Sequence, residues 1–284
     1  ESYKYYMDLL KVNPYEPALI NLTYVAYKLN KINDVLKLYE PIIKKHEEKK
    51  TMNEELFSNY AMLLILSNKH FEALKEIRSI LAFNQVSIPA YRTLAYMYIT
   101  TKKYALAEKT INLAISYTKD PIKQAPLYVI KAKLYEIQQE SSKMMAAYKK
   151  ALQLDSFNID ANFVLSMLFM KHNAGEQAVL YLENLVKKYP NYVSFRNLYA
   201  VSLRMSKNYD KSLEQYEKII SIAPNYNYVY FNRGILLQKY MSKPEDAIKS
   251  FETYQKSGGK EKVDERIKTC KKMIEDMKAM ENSN

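Results

Sequence analysis

The side chains able to do chemistry are few and scattered. There are three histidines, His46, His70 and His172, and one cysteine, Cys270. A lone cysteine cannot form a disulfide within the chain, and no Cys/His spacing resembles a zinc site. His46 falls in a linker, while His70 and His172 fall in turns between helices, too far apart to share a metal or serve one nucleophile. Each reads as a solvated surface residue. The carboxylate pairs Glu47/Glu48 and Glu54/Glu55 lie in charged runs, with no apolar stretch around them to raise a pKa. The chain holds 4 Gly, too dispersed to build a phosphate-cradling loop. These residues point to no enzyme, no metal and no cofactor, so the information in the chain concerns binding.

The elements that must position any binding residue repeat. Residues 193–226 read as two amphipathic helices around a tight turn, with Leu198, Tyr199, Ala200 and Leu203 on the first and Leu213, Tyr216, Ile219 and Ile220 on the second, ending at Pro224. Thirty-four residues earlier the pattern recurs, with Ala178, Leu182, Leu185 and Pro190 in place of Ser212, Tyr216, Ile219 and Pro224. A fixed period of this length is the mark of a stacked repeat, in which each unit buries its apolar face against its neighbours.

Composition agrees. With 48% hydrophobic residues, 4 Gly, 9 Pro and no Trp, the chain suits short-looped helices better than a sheet needing many glycine turns. The predicted fold class is therefore all-α. The 27 Tyr read as amphipathic fillers at helix contacts, ring buried and hydroxyl wet. A net charge of +12 favours acidic partners, anionic membrane surfaces or nucleic acid without selecting among them. The longest apolar runs, such as 61–66, are too short to span a bilayer.

In order, residues 1–15 read as the second helix of a repeat whose first helix is missing, with Tyr6, Leu9 and Val12 ahead of Pro14. On this reading the chain begins inside a longer protein, and a membrane enters only through an anchor upstream. Seven units follow at 16–49, 54–87, 88–121, 125–158, 159–192, 193–226 and 227–258. Thr23 stands where a small apolar residue is usual, Gly175 is expected in a turn where freedom of φ is useful, and Gly258 and Gly259 end the seventh unit. Residues 259–284 form a capping helix and tail, apolar at Val263, Ile267, Met273, Ile274 and Met277.

These residues resemble the tetratricopeptide repeat over nearly the whole chain. The family sets small residues at repeat positions 8 and 20. Position 8 reads Thr23, Ala61, Ala95, Ala132, Ser166, Ala200 and Gly234, and position 20 reads Val35, Ala73, Ala107, Met144, Ala178, Ser212 and Ala247. Small side chains are required there because the two helices of a unit cross at those points. The resemblance implies a right-handed superhelical solenoid of antiparallel helix pairs whose first helices line a concave groove.

Carried over from the family, the groove positions select Tyr24, Tyr27, Met62, Arg92, Tyr96, Lys133, Phe163, Met167, Asn197, Arg204, Tyr228 and Phe231 as partner-binding residues. Aromatic and Met side chains adapt to an apolar helix or extended peptide, and Arg grips a carboxylate, so the expected partner is a protein segment with apolar anchors and acidic residues. The lysine and asparagine clamp with which some members hold a C-terminal acidic peptide has no counterpart at the corresponding positions. The leading expectation is a non-catalytic scaffold or adaptor, compatible with an envelope or secretion assembly. Two alternatives stand beside it: a nucleic-acid-binding helical repeat, disfavoured because acidic residues interrupt the lysines in nearly every unit, and the targeting arm of a larger enzyme. Compartment and oligomeric state are not readable from these residues.

Overall fold

The computed structural model describes residues 2–12 and 16–281. Pro14 lies outside the described residues, as do the side chains of Val12 and Tyr24. Among the described residues every regular element is an α-helix. The chain divides into two units, Glu1–Asp155 and Ser156–Asn284.

In the first unit α1 (Ser2–Val12) packs on α2 (Glu16–Lys28), which pairs with α3 (Ile32–Glu48). Three more pairs follow: α4 (Glu54–Leu66) with α5 (His70–Phe83), α6 (Ile88–Thr100) with α7 (Tyr104–Ser116), and α8 (Pro121–Ile137) with α9 (Ser141–Leu154). In the second unit α10 (Ile159–Lys171) pairs with α11 (Gly175–Lys188), α12 (Val193–Met205) with α13 (Tyr209–Ile222), and α14 (Tyr228–Tyr240) with α15 (Pro244–Lys256), before α16 (Asp264–Glu281) covers α15.

First and second helices of a pair start in different ways. Several first helices carry side-chain caps: Asn53, Ser87, Asp120 and Asn158 accept from the amides of Leu56, Ala90, Ile122 and Ala161. Each cap satisfies a backbone N–H that the helix itself leaves without a partner. The second helices have no such side-chain bond and instead emerge from a left-handed turn. Asn30, Asn68, Lys102, Gln139, Asn173, Lys207 and Ser242 all have φ between 52° and 62°. The amide after the turn residue reaches back to close the preceding helix, as in Lys69 N to Leu64 O and Lys103 N to Tyr98 O, both 2.8 Å. This closure satisfies the last carbonyls of the first helix. Glycine would adopt that φ without strain, yet none of these residues is glycine.

Gly175 therefore needs a different explanation from the one its place in the sequence invited. The left-handed residue is Asn173, and Gly175 is the first residue of α11. A Cβ on it would stand 2.7 Å from the backbone of Met205 and Ser206. What Gly175 supplies is close approach between neighbouring pairs. Gly258, by contrast, has φ +79° just beyond α15, as a helix-ending glycine should.

The core runs along the small-residue registers. Ala61, Ala73, Ala95, Ala107, Ala178, Ala200 and Ala247 are fully buried. Over them lie Tyr39, Tyr148, Tyr216 and Tyr254, one in each of four second helices and also fully buried. Two of these correct the expectation of wet hydroxyls. The Tyr39 hydroxyl pairs with Thr23 Oγ1 at 2.7 Å, and the Tyr254 hydroxyl accepts from the Glu261 amide at 3.0 Å. Thr23 is thus the partner of a buried phenol, which accounts for a hydroxyl where the repeat usually places a methyl.

The residues between the third and fourth units are also helical. Pro121 opens α8 behind its cap Asp120, so residues 121–124 add a turn to the helix. Proline suits that first position, where its missing N–H costs nothing.

Candidate partner-binding surface

In the first unit α2, α4, α6 and α8 lie side by side, α4 against both α2 and α6, and α6 against α8. They carry Tyr27, Met62, Arg92, Tyr96 and Lys133. Tyr27 is half exposed, and Met62 and Tyr96 are half-buried. Burial raises the Tyr96 phenol pKa, and the Tyr27 phenol near it adds to the rise. Tyr27 on α2 and Tyr96 on α6 stand on either side of α4, which touches both helices. Tyr24 belongs to α2, but its side chain lies outside the described residues. Lys133 is exposed on α8.

Arg92 is not waiting for a partner carboxylate. Its guanidinium donates to Glu55 Oε1 at 2.6 Å, and Glu55 belongs to the neighbouring first helix α4. A ligand acid there would meet a guanidinium whose charge Glu55 already offsets in part.

The second unit repeats this lesson. Asn197 Oδ1 accepts from Asn232 at 3.0 Å, joining α12 to α14. Arg204 lies with its guanidinium carbon 5.4 Å from the ring centre of Tyr240, whose ring is itself tilted against Tyr209 at 5.2 Å. Arg204 also faces Tyr216, whose phenol is pushed up to about 12 by burial while the arginine's charge opposes the shift. Phe231 is drawn into the core against Tyr254 at 5.2 Å, with Arg266 of α16 over its face at 5.8 Å. The side chains that stand open are Phe163 and Met167, one helical turn apart on α10 and 38% and 41% exposed, and Tyr228, 51% exposed. Phe163 and Met167 form a continuous apolar step because residues four apart share a helix face.

The pairings missed in the sequence share a signal. Glu55 to Arg92, Asn197 to Asn232 and Arg204 to Tyr240 are separated by 37, 35 and 36 residues, one repeat plus a small offset. Complementary types at that separation identify contacts between neighbouring first helices.

Away from this surface, His46 corrects the reading of a solvated side chain. Its Nδ1 pairs with Thr51 Oγ1 at 2.7 Å and its Nε2 with Glu16 Oε1 at 2.9 Å, while Asn53 donates to the other Glu16 oxygen at 2.7 Å. Together they tie the start of α2 to the linker after α3. Among the described residues no cluster of His, Cys, Asp or Glu could hold a metal, and no helix is long and apolar enough to cross a membrane.

Helix pairs stacked so that their first helices share an apolar face define a helical-repeat interaction scaffold. Residues 125–158 match the family model described as tetratricopeptide repeat. Among solved structures the chain is similar to the C-terminal part of a tetratricopeptide repeat-containing protein from Cytophaga hutchinsonii, with TM-score 0.55 and 19% identity over 70% of this chain and 78% of that one. It is also similar to YrrB, described as a tetratricopeptide repeat protein with an unusual peptide-binding site, with TM-score 0.53 and 17% identity over 65% and 93% of the two chains. A third likeness is to a thermophilic tetratricopeptide repeat protein of Thermus thermophilus, with TM-score 0.51 and 18% identity over 66% and 99%. No curated protein matches the sequence. At these identities the structural likeness speaks for the fold: residues 125–158 match the tetratricopeptide repeat by sequence, and the helix pairs around them have the fold of tetratricopeptide repeat solenoids.

Proposed function

We propose that the chain is a non-catalytic scaffold that takes up a partner segment along its first helices and holds it mainly by apolar anchors. The observation that carries this reading is the open pair Phe163 and Met167, two large apolar side chains left exposed one turn apart on a first helix. Exposed Met and aromatic groups offer an adaptable apolar surface to a helix or strand. A protein of the same fold, YrrB, is described as having a peptide-binding site, which supports the mode without specifying the ligand. The acidic character expected of the partner becomes secondary, because Arg92 already holds Glu55.

The test is selection of random peptides displayed on phage against the immobilised chain, followed by titration of the enriched peptides with wild type and Phe163→Ser/Met167→Ser. The reading expects peptides rich in apolar anchors that bind the variant at least about tenfold more weakly, as loss of a central interface anchor does. Equal affinity for both proteins would remove these residues from the site.

A further inference from the structure

A second surface in the first unit is unlike the one above. Because α2, α4 and α6 run side by side in one direction, the turns at their C-terminal ends lie along one edge. The Ser67 hydroxyl reaches Asn33 at 3.4 Å, from one turn to the start of the second helix beside it. Exposed on this edge are Lys69, Lys102 and Lys103, with Lys31 held over the ring of Tyr3 at 5.3 Å. Between them stand Leu29, Phe71 and Leu106, three large apolar side chains open to water. Phe71 is 83% exposed, in the first turn of α5, and Lys75 and Arg78 continue that helix's exposed face. The acidic groups on the same stretch are Asp34, which faces Tyr3, Glu72, and Glu108 near the start of α7, which accepts from the Tyr135 hydroxyl. Left-handed backbone at Asn68 and Lys102 fixes the turns that present these lysines.

We infer that this edge docks on an anionic lipid surface. Neighbouring turns recur at about the 10 Å separation of packed helices, so the apolar groups form a row of single points rather than a pocket. A peptide needs a groove with alternating pockets. A planar membrane interface takes a row of isolated apolar side chains, each entering the headgroup layer while the flanking lysines meet the lipid phosphates. Single-stranded nucleic acid fits less well, because it is held by stacking on aromatic rings and two of these three side chains are aliphatic. No helix needs to cross the bilayer for this mode of attachment.

The experiment is flotation of the full chain with vesicles of phosphatidylcholine alone and of an equal mixture of phosphatidylcholine and phosphatidylglycerol. The expected result is binding to the mixed vesicles that weakens as salt is raised, and little binding to the neutral ones. Each lysine at such a surface is worth about a fivefold change in affinity, so Lys69→Glu/Lys102→Glu/Lys103→Glu should weaken binding on the order of a hundredfold. The control Lys49→Glu/Lys119→Glu/Lys123→Glu makes the same charge change on exposed lysines at the other ends of the pairs and should lose less than half as much on a logarithmic scale. Phe71→Ser/Leu106→Ser should bind the mixed vesicles measurably less than wild type. Circular dichroism and thermal melting establish that the variants are folded. No binding to mixed vesicles, equal binding to neutral ones, equal loss in both lysine variants, no loss in the Phe71/Leu106 variant, or tighter binding to a single-stranded RNA oligonucleotide each overturns the inference.

Discussion

Gly234→Ala is a sensitive probe of the small-residue register. Gly234 lies in the interior of α14, where alanine alone would favour the helix by about 1 kcal/mol. The added Cβ would stand 2.5 Å from Phe251 Cε1, 2.7 Å from Cδ1 and 2.8 Å from Cζ. Phe251 is fully buried on α15 with Phe231 at 6.5 Å on another side, so its ring has little room to swing away. Overpacking of this kind costs about 1–3 kcal/mol, which outweighs the propensity gain and leaves a net loss of about 1 kcal/mol. Phe251→Leu should itself destabilise, by about 1–2 kcal/mol for the lost ring. Combined, the two should recover about 1 kcal/mol relative to their sum, since the smaller side chain vacates the volume the new methyl needs. Urea unfolding followed by circular dichroism reads all four proteins. A midpoint for Gly234→Ala at or above wild type, or strict additivity in the double variant, would refute the reasoning that helix crossing sets this position.

Two carboxylates give opposite pH behaviour. Glu76 is buried on α5, and burial, reinforced by Glu47 and opposed by Lys75, raises its pKa. Its charge is therefore disfavoured in the folded chain, and stability present below the ordinary carboxylate value is lost as pH rises through the raised one. Glu76→Gln should stabilise the fold at neutral pH by about 1 kcal/mol and change little below about pH 4, as thermal melts across pH will show. For Glu16 burial alone would raise the pKa, but hydrogen bonds from His46 and Asn53 and the charge of Lys45 outweigh it, and the value is lowered. Its stabilisation is present above the ordinary carboxylate value and lost as pH falls through the lowered one, so Glu16→Gln should cost about 1 kcal/mol at neutral pH and flatten the acid side of the stability curve.

The repeat was legible because its constraints are local and recur. Small residues at two registers, such as Ala61 with Ala73 and Ala95 with Ala107, name the crossing of each pair, and the tyrosines at 39, 148, 216 and 254 mark the side chains that fill it. Less legible were features set by partners distant in sequence. Thr23 reads as an anomaly until Tyr39 is placed beside it. His46 reads as solvated until Glu16, thirty residues earlier, closes over it. Residues 122–124 look like an insertion because the helix they extend is defined by Asp120 and Pro121, a cap that periodicity does not register. The left-handed turns fall to Asn, Lys, Gln and Ser, so the glycine signal that locates such turns elsewhere is absent from them.

The same pairings bear on how a partner is recognised. Side chains that the family pattern assigns to the groove, Arg92, Asn197, Arg204 and Phe231, also join neighbouring helices or fill the core. A ligand carboxylate at Arg92 would approach beside Glu55, which already offsets the guanidinium's charge, so it adds little net free energy. An apolar side chain placed against Phe163 and Met167 displaces only water, and each buried methylene contributes about 0.8 kcal/mol. At Phe163 and Met167, affinity should therefore follow the partner's apolar anchors; at Arg92, taken by itself, the neighbouring Glu55 leaves a ligand's charge to act mainly on selectivity. On this argument, increasing a ligand's acidity at fixed apolar content changes its selectivity and salt dependence more than its affinity.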